Sequence, residues 1–131
     1  MPGEAWLAIV HERDHARFNE AFVEDVRLDL AVMDAPMVGV GELRRYLSAT
    51  QGMFREIAFT HQADAGGLTY LSWTGRFADR EIAGTTVLVR NAEGAIENVQ
   101  IYHRPRDLAA AFSNELAARL VALPLDQPAV R

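Results

Sequence analysis

The sequence predicts an α+β domain built around a curved sheet, and three features lead there. In the stretch from Gly84 to Pro105 (GTTVLVRNAEGAIENVQIYHRP), two β-rich runs, 85–90 and 96–103, flank the polar loop Asn91-Ala92-Glu93-Gly94. A glycine closing such a loop supplies the positive-φ corner of a hairpin. The opening of the chain has helical rather than strand periodicity. After Arg104-Pro105 the long strand pair gives way to a leucine-striped helix.

The elements follow in order. Residues 4–13 form a helix whose apolar face is Trp6, Leu7, Ile9 and Val10. Asp14 caps a second, shorter helix in which Phe18 and Phe22 stand one turn apart. In 25–32 (DVRLDLAV) charged and apolar residues alternate, giving a half-buried strand with Val26, Leu28 and Leu30 on one face and Asp25, Arg27 and Asp29 on the other. Pro36 and two glycines make 34–41 a loop. A helix over 42–48 turns Leu43, Tyr46 and Leu47 inward. Strands over 57–63, 68–77, 82–90 and 96–104 are separated by turns at 64–67, 78–80 and 91–94. The last helix, 107–121, is striped by Leu108, Phe112, Leu116 and Leu120. Residues 1–123 are expected to form one domain, and Pro124 and Pro128 to leave 124–131 as a frayed tail.

With 131 residues, half of them apolar, the chain can bury a core. Its formal net charge of −5, with both signs interspersed, argues against a nucleic-acid binder. No apolar run is long enough to span a bilayer, and the N-terminus lacks a signal pattern, so a cytoplasmic protein without membrane partners is expected. The absence of cysteine excludes disulfides, thiol catalysis and thiolate metal sites. Gly39-Val40-Gly41 lacks the third glycine and the βαβ setting of a dinucleotide loop. His11-Glu12-Arg13-Asp14-His15 spells the HExxH zinc motif, but at a helix end that Asp14 interrupts. Neither a cofactor nor a metal is expected.

The element order, with the segments AWLAIVHERDHARFNEAFVEDVRLDL, GVGELRRYL and NAEGAIENVQIYHRP, resembles the nuclear transport factor 2-like superfamily, in particular its SnoaL-like and ketosteroid-isomerase-like branch. The resemblance extends to about Leu120. It implies a curved mixed or antiparallel sheet wrapped into a cone by the N-terminal helices, an apolar internal pocket, and homodimerisation through the outer sheet face. This fold hosts isomerases, cyclases, dehydratases and non-catalytic binders, so individual positions decide. Ketosteroid isomerases use a carboxylate base with a tyrosine and a protonated aspartic acid. Those positions correspond here to Leu30, Trp6 and Thr86. The aspartate base of SnoaL-like cyclases corresponds to a position near Ile101. None of the carboxylates is present. A one-residue slip would bring in Asp29 but turn Leu28 and Leu30 to the other face.

The resemblance also sets the register of the last strand, directing Val99, Ile101 and His103 into the cone and Asn98, Gln100 and Tyr102 outward. His103 is then the candidate polar group of the pocket, as general base or acid, as a hydrogen-bond donor, or as a strand histidine satisfied locally. His61, on the same parity as Ile57 and Phe59, belongs either in the pocket or in an intersubunit contact. Trp6 offers an indole donor or simple packing, and Trp73, Tyr46 and Tyr70 read as packing. Asp34 reads as a turn residue. Three functions follow: a binding domain for an apolar small molecule, with Trp6, Leu30, Thr86, Val99 and Ile101 lining the pocket; an isomerase, cyclase or dehydratase acting on a polyketide- or steroid-like substrate through His103 or His61; and a dimerisation or interaction domain.

Overall fold

The hairpin marked at Gly94 joins β5 (Arg80–Arg90) to β6 (Ile96–Arg104) in antiparallel register, with Gly94 at φ 89°. The coordinates are a computed structural model describing residues 1–123, so the tail 124–131 lies outside the described residues. Before this hairpin come α1 (Glu4–Val10), α2 (His15–Glu20), β1 (Phe22–Leu30), β2 (Met37–Val38), α3 (Val40–Thr50), β3 (Arg55–Ala65) and β4 (Leu68–Phe77). After it comes α4 (Arg106–Ala122). The strands form one curved, unclosed sheet in the order β2-β1-β6-β5-β4-β3. β1 runs parallel to β6 and every other pair is antiparallel. Register shifts interrupt β1, β3 and the β5–β6 pair, and such bulges bend strands and sharpen their twist.

Most boundaries match the sequence periodicity, and the differences have local causes. α1 stops at Val10 instead of continuing to Arg13, because the Asp14 side chain accepts from the Ala16 and Arg17 N–H groups and starts α2. Glu12 Oε2 accepts from the Asp14 N–H at 3.1 Å and fixes the corner. β1 begins three residues early because Phe22 pairs with Ile96, while its rings contact Phe18 and Trp6. The expected loop 34–41 contains β2, where Met37 pairs with Leu28 and is buried, and the start of α3, which follows Gly39.

Each row across the concave face has a distinct character. Thr69, Leu88, Val99 and Leu28 form one row; Leu71, Thr86, Ile101 and Leu30 form the next; Trp73, Gly84 and His103 form a third. α4 covers part of this face with Leu108, Phe112, Leu116 and Leu120. It is tied to α3 by Arg45 Nη2 donating to the Leu120 carbonyl and by Arg119 Nη1 donating to the Gln51 carbonyl. At the other end, Gly3 donates its N–H to Gln62 Oε1 and packs its bare Cα on the Phe59 ring, docking the start of α1 on β3. No described helix is long and apolar enough to cross a membrane.

Gly84 is the position least able to accept a side chain. A Cβ there would overlap the Trp73 indole and the Tyr102 carbonyl. Gly84→Ala should therefore destabilise the fold by about 1–3 kcal/mol, as overpacking does, read as a lower urea midpoint with an unchanged slope.

Candidate functional site

α1, α2 and α3 stand off the concave face and leave a cavity of about 1160 Å³ between helices and sheet. Trp6, Leu7 and Val10 line it from α1; Tyr46 and Leu47 from α3; Phe59, Trp73, Thr86, Ile101 and His103 from the sheet. Its floor is an aromatic cluster. The His103 ring lies 4.5 Å from that of Phe112 and 6.2 Å from that of Phe54, nearly parallel to Phe54 and edge-on to Trp73 at 5.6 Å. Gly84 makes this possible, since it stands between Trp73 and His103 in the pairing and lets the indole lie against bare backbone. Trp73 Nε1 donates to Thr86 Oγ1 at 3.1 Å, which leaves the Thr86 hydroxyl its own proton to donate.

His103 is the electrostatic anomaly of the site. Both its ring nitrogens are buried and have no hydrogen-bond partner among the described residues. Burial among rings lowers its pKa from 6.5 to about 4, because the imidazolium would lose its hydration. At neutral pH it is an uncharged ring with one donor and one acceptor unmet. Burial likewise pushes the Tyr46 phenol above its ordinary value, so it keeps its proton and can only share it in a hydrogen bond.

The sequence candidates separate clearly. Trp6, Thr86, Ile101 and His103 line the cavity. Leu30 and Val99 are not among its lining residues, and both are buried in the apolar core. His61 is not in the cavity either. A bulge between Phe59 and His61 resets the alternation, so Phe59 pairs with Trp73 on the concave face while His61 pairs with Ser72 on the convex one. His61 is exposed, with Nδ1 3.1 Å from Thr60 Oγ1. Asp29 also faces outward, bonded to Arg27 and to Asn98 Nδ2. His11 and His15 of the HExxH string fall on either side of the α1–α2 break, so no continuous helical turn presents them together.

Phe54, Trp73 and Tyr46 also line the cavity, although their sequence pattern points only to packing. The legible signal was Gly84, because an interior strand glycine marks a close approach, and the two hairpin registers place Trp73 and His103 beside it.

No family model matches the sequence, and no curated protein matches it. Solved structures do. A steroid delta-isomerase from Pseudomonas aeruginosa superposes with a TM-score of 0.79 at 20% identity, covering 90% of this chain and 88% of that one. A protein of the SnoaL-like family from Agrobacterium tumefaciens str. C58 gives 0.60 at 24% identity over 79% and 94%. An NTF2-like protein of unknown function from Cytophaga hutchinsonii ATCC 33406 gives 0.57 at 17% identity over 79% and 89%. The chain has the NTF2-like fold. At these identities the likeness concerns architecture, and within the NTF2-like frame the chemistry must come from this chain's own side chains.

The displaced pKa of His103 has a definite sign. The unfolded chain takes up the proton first, so stability is complete above about pH 6.5 and is lost as pH falls toward 4. Between pH 7 and pH 4.5 the wild type should lose about 2–3 kcal/mol more than His103→Phe. Urea titrations of both proteins at the two pH values check this.

Proposed function

We propose that the protein is a binding domain for an apolar, ring-bearing small molecule held in the cavity between α1, α3 and the sheet. The observation that carries this reading is the composition of the wall: aromatic and aliphatic, with neutral donors at Tyr46 and Thr86. Its only carboxylate among the described lining residues is Glu12, which the Asp14 N–H already engages. A concave, mostly apolar site with a few convergent polar groups is the usual form of a small-molecule pocket. The neutral His103 ring supplies surface, and a hydrogen bond if a ligand opens the ring cluster.

Catalysis is the second reading, and His103 is the observation that favours it. Burial lowers its pKa, which leaves it unprotonated at neutral pH but a weaker base than an ordinary imidazole. The neighbour named as a steroid delta-isomerase suggests the assay. With no carboxylate deep in the cavity among the described residues, this chain should not move a steroid double bond above the uncatalysed rate. Ultraviolet detection of the conjugated product checks this, and turnover abolished by His103→Phe would establish the catalytic reading instead.

The proposal includes a homodimer formed through the convex sheet face. Tyr70 and Tyr102 are about half exposed there, and Val87 lies between Tyr70 and Gln100 in the pairing. Light scattering at micromolar concentration should give twice the chain mass.

Binding itself is tested with N-phenyl-1-naphthylamine, a neutral polycyclic probe. Its fluorescence should rise on adding the protein, with micromolar affinity, and the rise should disappear in Leu47→Trp, which fills the cavity from α3. A folded protein that leaves the probe dark, or an unchanged signal in the filled variant, would overturn the binding reading.

A further inference from the structure

The cavity rim carries charge of the wrong sign for the chain as a whole. Formal net charge is −5, yet the charged residues lining the cavity are Arg13, Arg44 and Arg45 against Glu12, with His11 and His15 also in the lining. These come from the α1–α2 corner and from α3, so two separate elements bring like charges to one cavity. Juxtaposed cations repel, and they are tolerated most readily where an anion comes between them.

The arginines differ in their commitments. Arg44 is already committed, with Nη1 donating to Asn19 Oδ1. Arg45 is the most enclosed, its side chain 17% exposed. Nη2 donates to the Leu120 carbonyl, Nη1 forms an ion pair with Glu42 Oε1 at 3.6 Å, and Nε is buried with no hydrogen-bond partner among the described residues. A guanidinium has five N–H donors, and this one has a single short bond among the described residues. Arg13 is exposed beside Glu12, whose Oε2 already accepts from the Asp14 N–H.

We propose that the ligand is an organic anion, an aromatic or polycyclic carboxylate whose rings lie toward Trp73, Phe54 and Ile101 and whose carboxylate lies at the rim between Arg13 and Arg45. This rests on the binding reading above and adds the ligand's charge to it. Neutral donors inside and cationic donors at the opening suit a molecule that enters rings first. Arginine forks match carboxylate geometry, and partial enclosure of Arg45 strengthens the pairing relative to open water.

The test compares 2-naphthoate with 2-naphthamide, which have nearly the same shape and differ in charge. Each is titrated into the full chain by calorimetry and followed through tryptophan emission, since both tryptophans of the chain, Trp6 and Trp73, line the cavity. At low salt naphthoate should bind about five- to tenfold tighter than the amide. The preference should shrink severalfold in about 0.5 M salt and in Arg13→Gln, a substitution at an exposed side chain that leaves the Arg45–Leu120 link intact. Arg45→Gln should lower naphthoate affinity further while leaving the amide unchanged. Equal affinity for both compounds, abolished by Leu47→Trp, would overturn the anion assignment and leave the cavity reading standing. If neither compound binds while N-phenyl-1-naphthylamine does, the anion assignment alone fails. If none of the three binds, both readings fall.

Discussion

The bare backbone at Gly84 is the constraint on which the rest of the site depends. It sits between Trp73 and His103 in the sheet, and the indole occupies the space where a side chain would stand. From that position Trp73 reaches Thr86 with its N–H and meets the ring of Phe54 at 5.5 Å. Phe54 in turn stacks on Phe112 at 5.1 Å, and Phe112 anchors the middle of α4. The cavity floor and the seam between sheet and C-terminal helix are thus one set of ring contacts. A change that loosens the floor also loosens the helix, and ligand affinity and stability should move together at these positions.

His103 runs against that cohesion. Ring pairs of this kind contribute about 0.5–1.5 kcal/mol each beyond their burial, whereas a buried polar group without a partner costs about 1–3 kcal/mol. The imidazole's ring contacts with Phe112, Phe54 and Trp73 therefore roughly offset its unmet nitrogens. A phenylalanine would keep most of the stacking without the penalty. On stability alone the histidine has no advantage over a phenylalanine at this point.

The sequence disclosed the fold well because the fold depends on periodicity. The β4 and β6 boundaries match it residue for residue, and the Asp14 cap and the α4 stripe were visible as local patterns. The site was less legible because it depends on interruptions of periodicity. The bulge after Phe59 turns His61 to the opposite face, and no alternation rule locates a bulge. Leu30 and Val99 have the inward parity expected of them, but depth along the sheet and the cover of α3 and α4 place them in the core. Phe54 lies between α3 and β3, where no pattern says which way a side chain turns. His103 lines the cavity, but alternation alone could not say which face of β6 turns inward; that direction came with the family resemblance.

Parity also explains why β1 brings no carboxylate into the cavity. β1 carries Asp25 and Asp29 alternating with Val26, Leu28 and Leu30, and these three apolar side chains are almost fully buried. Bringing Asp29 inward by a one-residue slip would expose all three, at about 1.5–3 kcal/mol each. The sum, about 5–9 kcal/mol, is comparable to the whole stability of a typical domain. Asp29 is further held outside by Arg27 and Asn98. The outward position of the carboxylate is therefore enforced by the core itself, and no modest rearrangement on ligand binding can convert this wall into one carrying a carboxylate base. At neutral pH His103 is uncharged and Tyr46 keeps its proton, so both can share a hydrogen bond with a molecule in this cavity.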